Sequence, residues 1–521
     1  MIKNIRISII LILTVFYFLC WSFAGCKKEA NKTLVFADNK KEVKPSMLIK
    51  SITIPSDSTD IVYLRLFFRS GSMDDPPGKE GLTNLTVRMI AEGGTLKHTY
   101  AQILRLLYPM ASSIDAYVDK ESTVFVSSVH KAEWEHFIPI LSEILLEPAF
   151  SEEDFKRLKD ETLNYIKKTL RHADDELLSK QALETWLYEG HPYGHLVEGT
   201  VKGVESITLD DVQKHYKKIL SQDRLVIGMG GAVDDSMRKM LVQNLSHLPE
   251  NGAPSVNIPQ PSLPQDLEVM IVEKETNSTA IAFGTPVQFR RGHPDFYSLM
   301  IGFSCLGEHR QSMGRLFRKI REARGLNYGD YAYPEYFEEV PGTVMPMVNI
   351  PRTTQYMSIW IRPVQDKHAI WALTLAFHEL RNFIKDGLKE DEFIRTKGFL
   401  EGYTRVLEEH PDRKIGYALD DLFYGISPFL RNARERWNNL TLREVNDAIG
   451  RNISLKNLKI VIVTSKGQEI KENLVQGTIP EIIYDTPKPK EVLEEDKVIQ
   501  NNPIKIPAEK IKVIPVDSLF E

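Results

Sequence analysis

Apolar residues recur along the chain with two different periods. Ile61–Phe68 and Leu458–Val463 have the alternation and length of strands, whereas Glu133–Leu146 and Ile370–Ile384 space their apolar residues at helical intervals over longer stretches. Phe296 to Leu306 is apolar almost throughout and predicts a buried helix, with Cys305 as one of its core residues rather than a nucleophile. Strand and helix patterns are mixed in both halves of the chain. That predicts α+β domains, each a mostly antiparallel sheet packed with helices.

The pattern occurs twice. Thr208-Leu209 and Val212 open a helix, and Leu225 and Ile227 lie on an apolar strand; Thr441-Leu442, Val445, Leu458 and Ile460 repeat this at a constant offset of 233 residues. At an offset of 238, Ser151-Glu152-Glu153-Asp154-Phe155 aligns with Lys389-Glu390-Asp391-Glu392-Phe393. Both are acidic helix starts, the first with Ser151 as its N-cap. Together they imply an internal duplication into two homologous domains. Pro254, Pro259, Pro261 and Pro264 can continue neither a helix nor a central strand, and mark a linker between the two. The expected division is 48–250 for the first domain, 251–265 for the linker, 266–475 for the second domain and 476–521 for an extended Pro-rich tail laid over the body.

The front of the chain departs from this pattern. Lys3 and Arg6 precede an uncharged run from Ile7 to Cys26, which Lys27-Lys28 ends, the order of a secretory signal. Ser22-Phe23-Ala24-Gly25-Cys26 resembles a bacterial lipobox, although Phe23 stands where Leu is usual. Residues 1–26 are thus expected to be a lipoprotein-type signal, Cys26 the lipidated residue, and 27–47 a polar tether. An uncleaved anchor and simple cleaved secretion are the alternatives, since an uncharged run of this length nearly spans a bilayer. All three put the body outside the cytoplasm. The expected location is the bacterial cell envelope, facing the periplasm or exterior, with Lys27 after the cysteine favouring the outer membrane.

Composition removes several function classes. A net charge of −5 over 521 residues argues against a nucleic-acid partner held by phosphate neutralisation. Three cysteines, Cys20, Cys26 and Cys305, are too few for a disulfide framework or a thiolate zinc site. Gly228-Met229-Gly230-Gly231 follows a strand without the spacing of a dinucleotide loop and reads as a strand end.

Gly71-Ser72-Met73-Asp74-Asp75-Pro76-Pro77-Gly78-Lys79-Glu80-Gly81-Leu82 resembles the segment leading into the active-site helix of the insulinase/pitrilysin (inverzincin) family, zinc metallopeptidases that include the mitochondrial processing peptidases. The likeness extends through Ser113-Ile114-Asp115-Ala116-Tyr117, His191-Pro192-Tyr193-Gly194 with Gly199, and Leu316-Phe317 with Arg321-Glu322, Gly325-Leu326 and Tyr328. In that family the helix after Gly-Leu carries H-x-x-E-H, two histidines that bind zinc and a Glu that activates water. The corresponding positions here are Asn84, Val87 and Arg88. Arg88 would repel a dication and Val87 accepts no proton. The family's third ligand is a Glu on a later helix; Leu163 to Leu170 contains no acid, Glu161 lies close by, and one carboxylate does not hold zinc. No metal or other cofactor is therefore expected in this chain.

Other histidines do not rebuild a site. Pro192 and Gly194 between His191 and His195 argue against a helical pair, and His130, Glu133 and His136 read as a solvated helix start with the histidines on different faces. What the resemblance does preserve is Arg321 with Tyr328 seven residues later, the spacing with which catalytic members bind the substrate carbonyl from the half opposite the zinc. Gly325 is expected to end the helix and leave Tyr328 on the following strand or loop. The bland alternative is that Arg321 only makes ion pairs and Tyr328 only packs. In some two-subunit members one subunit holds zinc and the other supplies the Arg/Tyr pair. The resemblance therefore implies a non-catalytic subunit that pairs with a zinc-motif-bearing homologue, which holds the zinc, around peptide substrates. A stand-alone peptide-binding or scaffold protein and a peptidase with a relocated zinc site are the other readings.

Overall fold

The computed structural model describes residues 49–308, 312–338 and 343–521. Cys26, the rest of the signal and the tether lie outside the described residues. Among the described residues no helix is long and apolar enough to cross a membrane.

The first half runs β1 (Lys50–Pro55), β2 (Ile61–Phe68), α1 (Leu82–Ala91), β3 (Ile114–Val118), β4 (Thr123–His130), α2 (Trp134–Leu146), α3 (Glu152–Asn164), α4 (Asp175–Leu187), α5 (Leu209–Ile219) and β5 (Leu225–Gly231). Its sheet has the order β1-β5-β2-β4-β3, with β1 parallel to β5 and the other pairs antiparallel. Alternation on β2 sends Val62, Leu64, Leu66 and Phe68 into a core with Val87 and Ile90 of α1 and Phe137 and Leu141 of α2. Phe67 faces the other way.

The second half repeats the plan: β6 (Glu268–Glu273), β7 (Thr279–Val287), α6 (Phe296–Gly307), β8 (Asp330–Tyr333), β9 (Gln355–Val364), α7 (Ala369–Asp386), α8 (Glu390–Glu409), α9 (Pro411–Tyr424), α10 (Leu442–Asn452) and β10 (Lys459–Thr464). Its sheet reads β6-β10-β7-β9-β8, again with one parallel pair, β6 with β10. The duplication is visible in local chemistry. Thr208 and Asp211 form a capping box on α5, and Thr441 and Glu444 form the same box on α10; in each the acid accepts the threonine N–H at 2.8 Å. Ser151 caps α3 by accepting the Asp154 N–H at 3.1 Å.

The halves exchange equivalent helices. Helix α4, which follows the acidic helix of the first half, packs on β7 and β10 of the second, and α9, which follows the acidic helix of the second, packs on β5, β1 and β2 of the first. Leu178, Ala182, Leu183 and Trp186 of α4 share a core with Ala280, Ala282, Val461 and Val463. Ile415 and Leu419 of α9 sit on Phe67, Val124 and Val226. Gly228 and Gly230 lie inside β5 rather than at a strand end, and they make this seat possible. A Cβ on Gly228 would stand 2.4 Å from Ile415 Cγ2, and one on Gly230 2.4 Å from Ile415 Cδ1.

The tail is not simply extended. It forms α11 (Lys490–Gln500) and β11 (Ile511–Pro515), and β11 joins the second sheet parallel to β6. Pro503 and Pro507 precede the strand and Pro515 ends it, so they bound the element instead of breaking it. Beyond it Val516 and Leu519 bury in the core containing α4. Arg171 donates to the Leu519 carbonyl and, at 2.7 Å, to the Glu521 carboxylate, and the Val201 N–H donates to the Phe520 carbonyl at 2.8 Å. The chain end thereby fastens the second half to the first.

Candidate functional site

The loop before α1 is built to fix that helix. Asp75 is half-buried and accepts the Gly81 N–H at 2.7 Å and the Thr83 N–H at 2.6 Å; desolvation pushes its carboxyl up to about 7 against those bonds. Gly81 has φ 101°, and a Cβ there would meet the Glu198 carbonyl at 2.4 Å, so the loop lies directly on the segment around Gly199. His191-Pro192-Tyr193-Gly194 braces the same region: the Tyr193 hydroxyl donates to Glu121, and a His191 ring nitrogen bonds the Pro259 carbonyl at 2.9 Å.

On α1, Val87 is 1% exposed and belongs to the core. Asn84 and Arg88 lie one turn apart on the partly exposed face. Arg88 spans two helices. Its Nε and one terminal nitrogen grip Glu92 at 2.8 Å each, that nitrogen reaches Glu161 of α3 at 2.7 Å, and the other meets Thr162 Oγ1 at 3.1 Å. The Glu92 hydrogen bonds, reinforced by Glu161, hold the guanidinium above its ordinary pKa despite partial burial. Sequence placed Glu161 near this site without a role; the structure brings it directly to Arg88. Arg157 adds a second cation, 3.4 Å from Glu161 Oε1 and 3.0 Å from Asp154. The donor set at the family's zinc position is therefore two guanidinium groups with their carboxylates and no histidine. It does not fit a dication.

The second half places Arg321 and Tyr328 differently. Arg321 lies on a π-helical turn, Phe317–Glu322, with its guanidinium 4.7 Å from the Phe317 ring centre. Gly325, at φ 72°, receives the turn's end by donating to the Arg321 carbonyl at 2.7 Å, and Tyr328 follows in the loop before β8. Among the described residues no carboxylate pairs with Arg321, and Tyr328 is 76% exposed. Among the described residues no hydrogen bond or ion pair links this pair to Arg88, Glu161 or the rest of the α1 site.

The remaining candidates resolve locally. His130 ends β4, Glu133 is in a 3₁₀ turn and only His136 is helical, so the three do not share a helix; His136 meets Glu133 at 3.2 Å. His195 is in a loop, where burial and then Lys120 push it down to about 4. Cys305 is buried, which raises its thiol to about 11. His378, Glu379 and Glu495 bring three donor atoms within 4.8 Å of one another, but Glu495 is already held by Lys319 at 2.5 Å and Arg324 at 2.8 Å. Those two cations cancel the charge a metal would need.

Sequence reasoning missed a buried charge cluster between the halves. Arg352 is 1% exposed, grips Asp119 at 2.8 and 2.6 Å and Glu184 of α4 at 2.9 Å, and lies 3.5 Å over the Tyr336 ring. Lys120, also buried and lowered by that burial, stands 3.5 Å from Glu184. Asp119-Lys120-Glu121 looks in sequence like a solvated turn, and nothing local marks Arg352 as its partner.

A duplicated body whose α1 carries Asn84, Val87 and Arg88 in place of a zinc motif, with an exposed Arg321/Tyr328 segment in its second half, defines a peptidase-like scaffold that lacks the zinc motif on that helix. Comparison with known proteins agrees. Residues 51–201 match "Insulinase (Peptidase family M16)", and residues 206–400 match "Peptidase M16 inactive domain". A Helicobacter pylori protein described as a non-peptidase homolog, YmxG, is 23% identical over 409 residues, 78% of this chain and 90% of that one. The crystal structure of a peptidase M16 inactive domain from Pseudomonas fluorescens matches with a TM-score of 0.70 at 22% identity, over 79% of this chain and 94% of that one. The mitochondrial-processing peptidase subunit beta of Dictyostelium discoideum is 25% identical over 198 residues, 37% of this chain and 41% of the subunit. The chain belongs to the M16 insulinase family, as a non-catalytic member.

Proposed function

We propose that this chain is the non-catalytic subunit of an exported zinc endopeptidase heterodimer, lipid-anchored at Cys26 in the bacterial cell envelope, with the outer membrane favoured. A homologous subunit bearing H-x-x-E-H holds the zinc, which supplies the activated water. Arg321 and Tyr328 donate hydrogen bonds to the carbonyl oxygen of a bound peptide and hold the negative charge that develops on it, a contribution of about 3 kcal/mol per donor. The observation that carries the reading is the contrast between the two halves: Arg88 fills the metal position with its own ion pairs, while Arg321 and Tyr328 stand exposed with no hydrogen-bond or ion-pair partner among the described residues. The kinship with a processing-peptidase subunit supports pairing with a second chain.

The test is gentle isolation from the native envelope, followed by identification of what co-purifies and assays for zinc and peptidase activity. The expected result is a partner bearing H-x-x-E-H, with activity lost on separation. An isolated chain with neither zinc nor activity would instead support a peptide-binding or scaffold protein, the reading favoured by the non-peptidase relative.

A further inference from the structure

The segment carrying Arg321 and Tyr328 is held at both ends by groups that play no part in the reading above. Arg324, between them, has a fully buried side chain. Its Nε and one terminal nitrogen bond Asp496 at 2.9 and 2.7 Å, that nitrogen also reaches Glu495 at 2.8 Å, and the other returns to the Lys319 carbonyl at 2.9 Å. Lys319 closes the loop by donating to Glu495 at 2.5 Å. Tyr484 donates to the second oxygen of Asp496 at 2.8 Å and so fixes the carboxylate from behind. Glu495 and Asp496 both come from α11, in the tail. At the far end Asn327 donates to Asp330 at 2.7 Å and to the Arg362 carbonyl at 3.1 Å, and accepts the Gly329 N–H at 3.1 Å. Between Lys319 and Asp330, the exposed side chains without a polar partner among the described residues are Arg321, Glu322 and Tyr328.

A π-helical turn gives up the regular i to i−4 ladder and needs outside support to persist. Here the support is ionic and comes from a helix some 170 residues further along the chain. We propose that Glu495 and Asp496 are positioning residues: by clamping Arg324 and Lys319 they set the direction in which Arg321 and Tyr328 present their donors together. The inference rests on the reading of Arg321 and Tyr328 as substrate-binding groups. It assigns to the tail, which lies beyond the matched family regions, control over that pair.

The test is backbone amide hydrogen exchange, read by mass spectrometry, on the full chain carrying Glu495→Gln with Asp496→Asn. Exchange across residues 323–329 is expected to rise at least tenfold, while amides of β6 and β10 keep their protection. Tyr484→Phe, which removes one hydrogen bond and leaves every charge, should give a smaller rise in the same peptide and covers the case in which the double variant folds poorly. In the native complex the double variant should lower kcat with KM nearly unchanged, because peptide binding along the chain survives and only the donors are misdirected. Unchanged exchange in 323–329, or a rise shared equally by the whole second sheet, would overturn the proposal. Arg321→Ala separates it from the functional reading: if that variant leaves the activity of the complex intact, the role in trans fails, and the exchange result still decides whether the clamp exists.

Discussion

Replacing Arg352 with methionine removes one guanidinium and leaves the buried carboxylates of Asp119 and Glu184 with Lys120, 3.5 Å from Glu184, as the nearby cation. In the intact protein that guanidinium makes three short bonds, two to Asp119 and one to Glu184, and it joins the two halves. The three side chains are between 1% and 5% exposed, so solvent screens the interaction little. Methionine restores much of the volume, so the cavity term is small, and the loss comes mainly from Asp119, which gives up both of its bonds to the guanidinium. Breaking a buried pair in this way costs about 3–5 kcal/mol. With a urea slope of about 3 kcal/mol/M, the unfolding midpoint should fall by about 1–1.7 M. Acid gives a second signature. Burial alone would raise Glu184 above its ordinary 4.5, but Arg352 and Lys120 outweigh it and hold the carboxyl below that value. A depressed carboxyl adds stability above its unfolded pKa and loses it as pH falls through the folded one. In the variant only Lys120 remains to oppose burial, so the Glu184 carboxyl rises and protonating it relieves part of the strain. The gap between the two proteins should therefore narrow as urea titrations move from pH 7 toward pH 4. A loss below about 1 kcal/mol, or a gap that does not change with pH, would refute the reasoning.

Arg88→Met should cost about 1–2 kcal/mol in the same urea assay, less than Arg352 because its partners Glu92 and Glu161 are substantially exposed, and equilibrium dialysis should show no zinc gained. A loss as large as that at Arg352 would mean that the α1–α3 bridge is not the partly solvated contact described. Gly228→Ala adds a methyl group 2.4 Å from Ile415 and should destabilise by about 1–3 kcal/mol as α9 is pushed from its seat; a neutral thermal melt would show that α9 does not rest there. Arg321→Ala and Tyr328→Phe should leave stability within about 0.5 kcal/mol. In the native complex each should lower kcat by about a hundredfold; full activity in both would end the role assigned to them.

The parts of this fold that sequence exposes are those encoded by near neighbours. Thr208 and Thr441 announce their helices through an acid three residues on, and both boxes form. The constant offset between Leu225–Ile227 and Leu458–Ile460 becomes the equivalent places of β5, parallel to β1, and β10, parallel to β6, in their two sheets. The prolines of the tail argue for an extended segment, because the partner that makes Ile511–Pro515 a strand is β6, about 240 residues earlier. Arg352 is invisible for the same reason: its value depends on Asp119 and Glu184, which no local pattern connects to it. Gly228 and Gly230 did carry a readable signal, since two glycines on one face of a strand mark a close approach by another element. At the α1 site the loss of the metal ligands is plain from Asn84, Val87 and Arg88, whereas the pairing of Arg88 with Glu161 required the helix packing.

The exchanged helices set a schedule for biogenesis. When β5 emerges from the ribosome, the face of the first sheet bearing Gly228 and Gly230 has no cover, because α9 begins about 180 residues later. At bacterial or slower rates of synthesis, that interval lasts roughly 9–36 s. Throughout it Phe67, Val124 and Val226 form an open apolar surface, and the seat of α4 stays incomplete until β10 follows α9. Neither half is a finished folding unit. The nascent chain must therefore be kept from premature collapse or aggregation until both halves are complete, and a fragment ending at the linker would be a substrate for chaperones and proteases rather than a small domain.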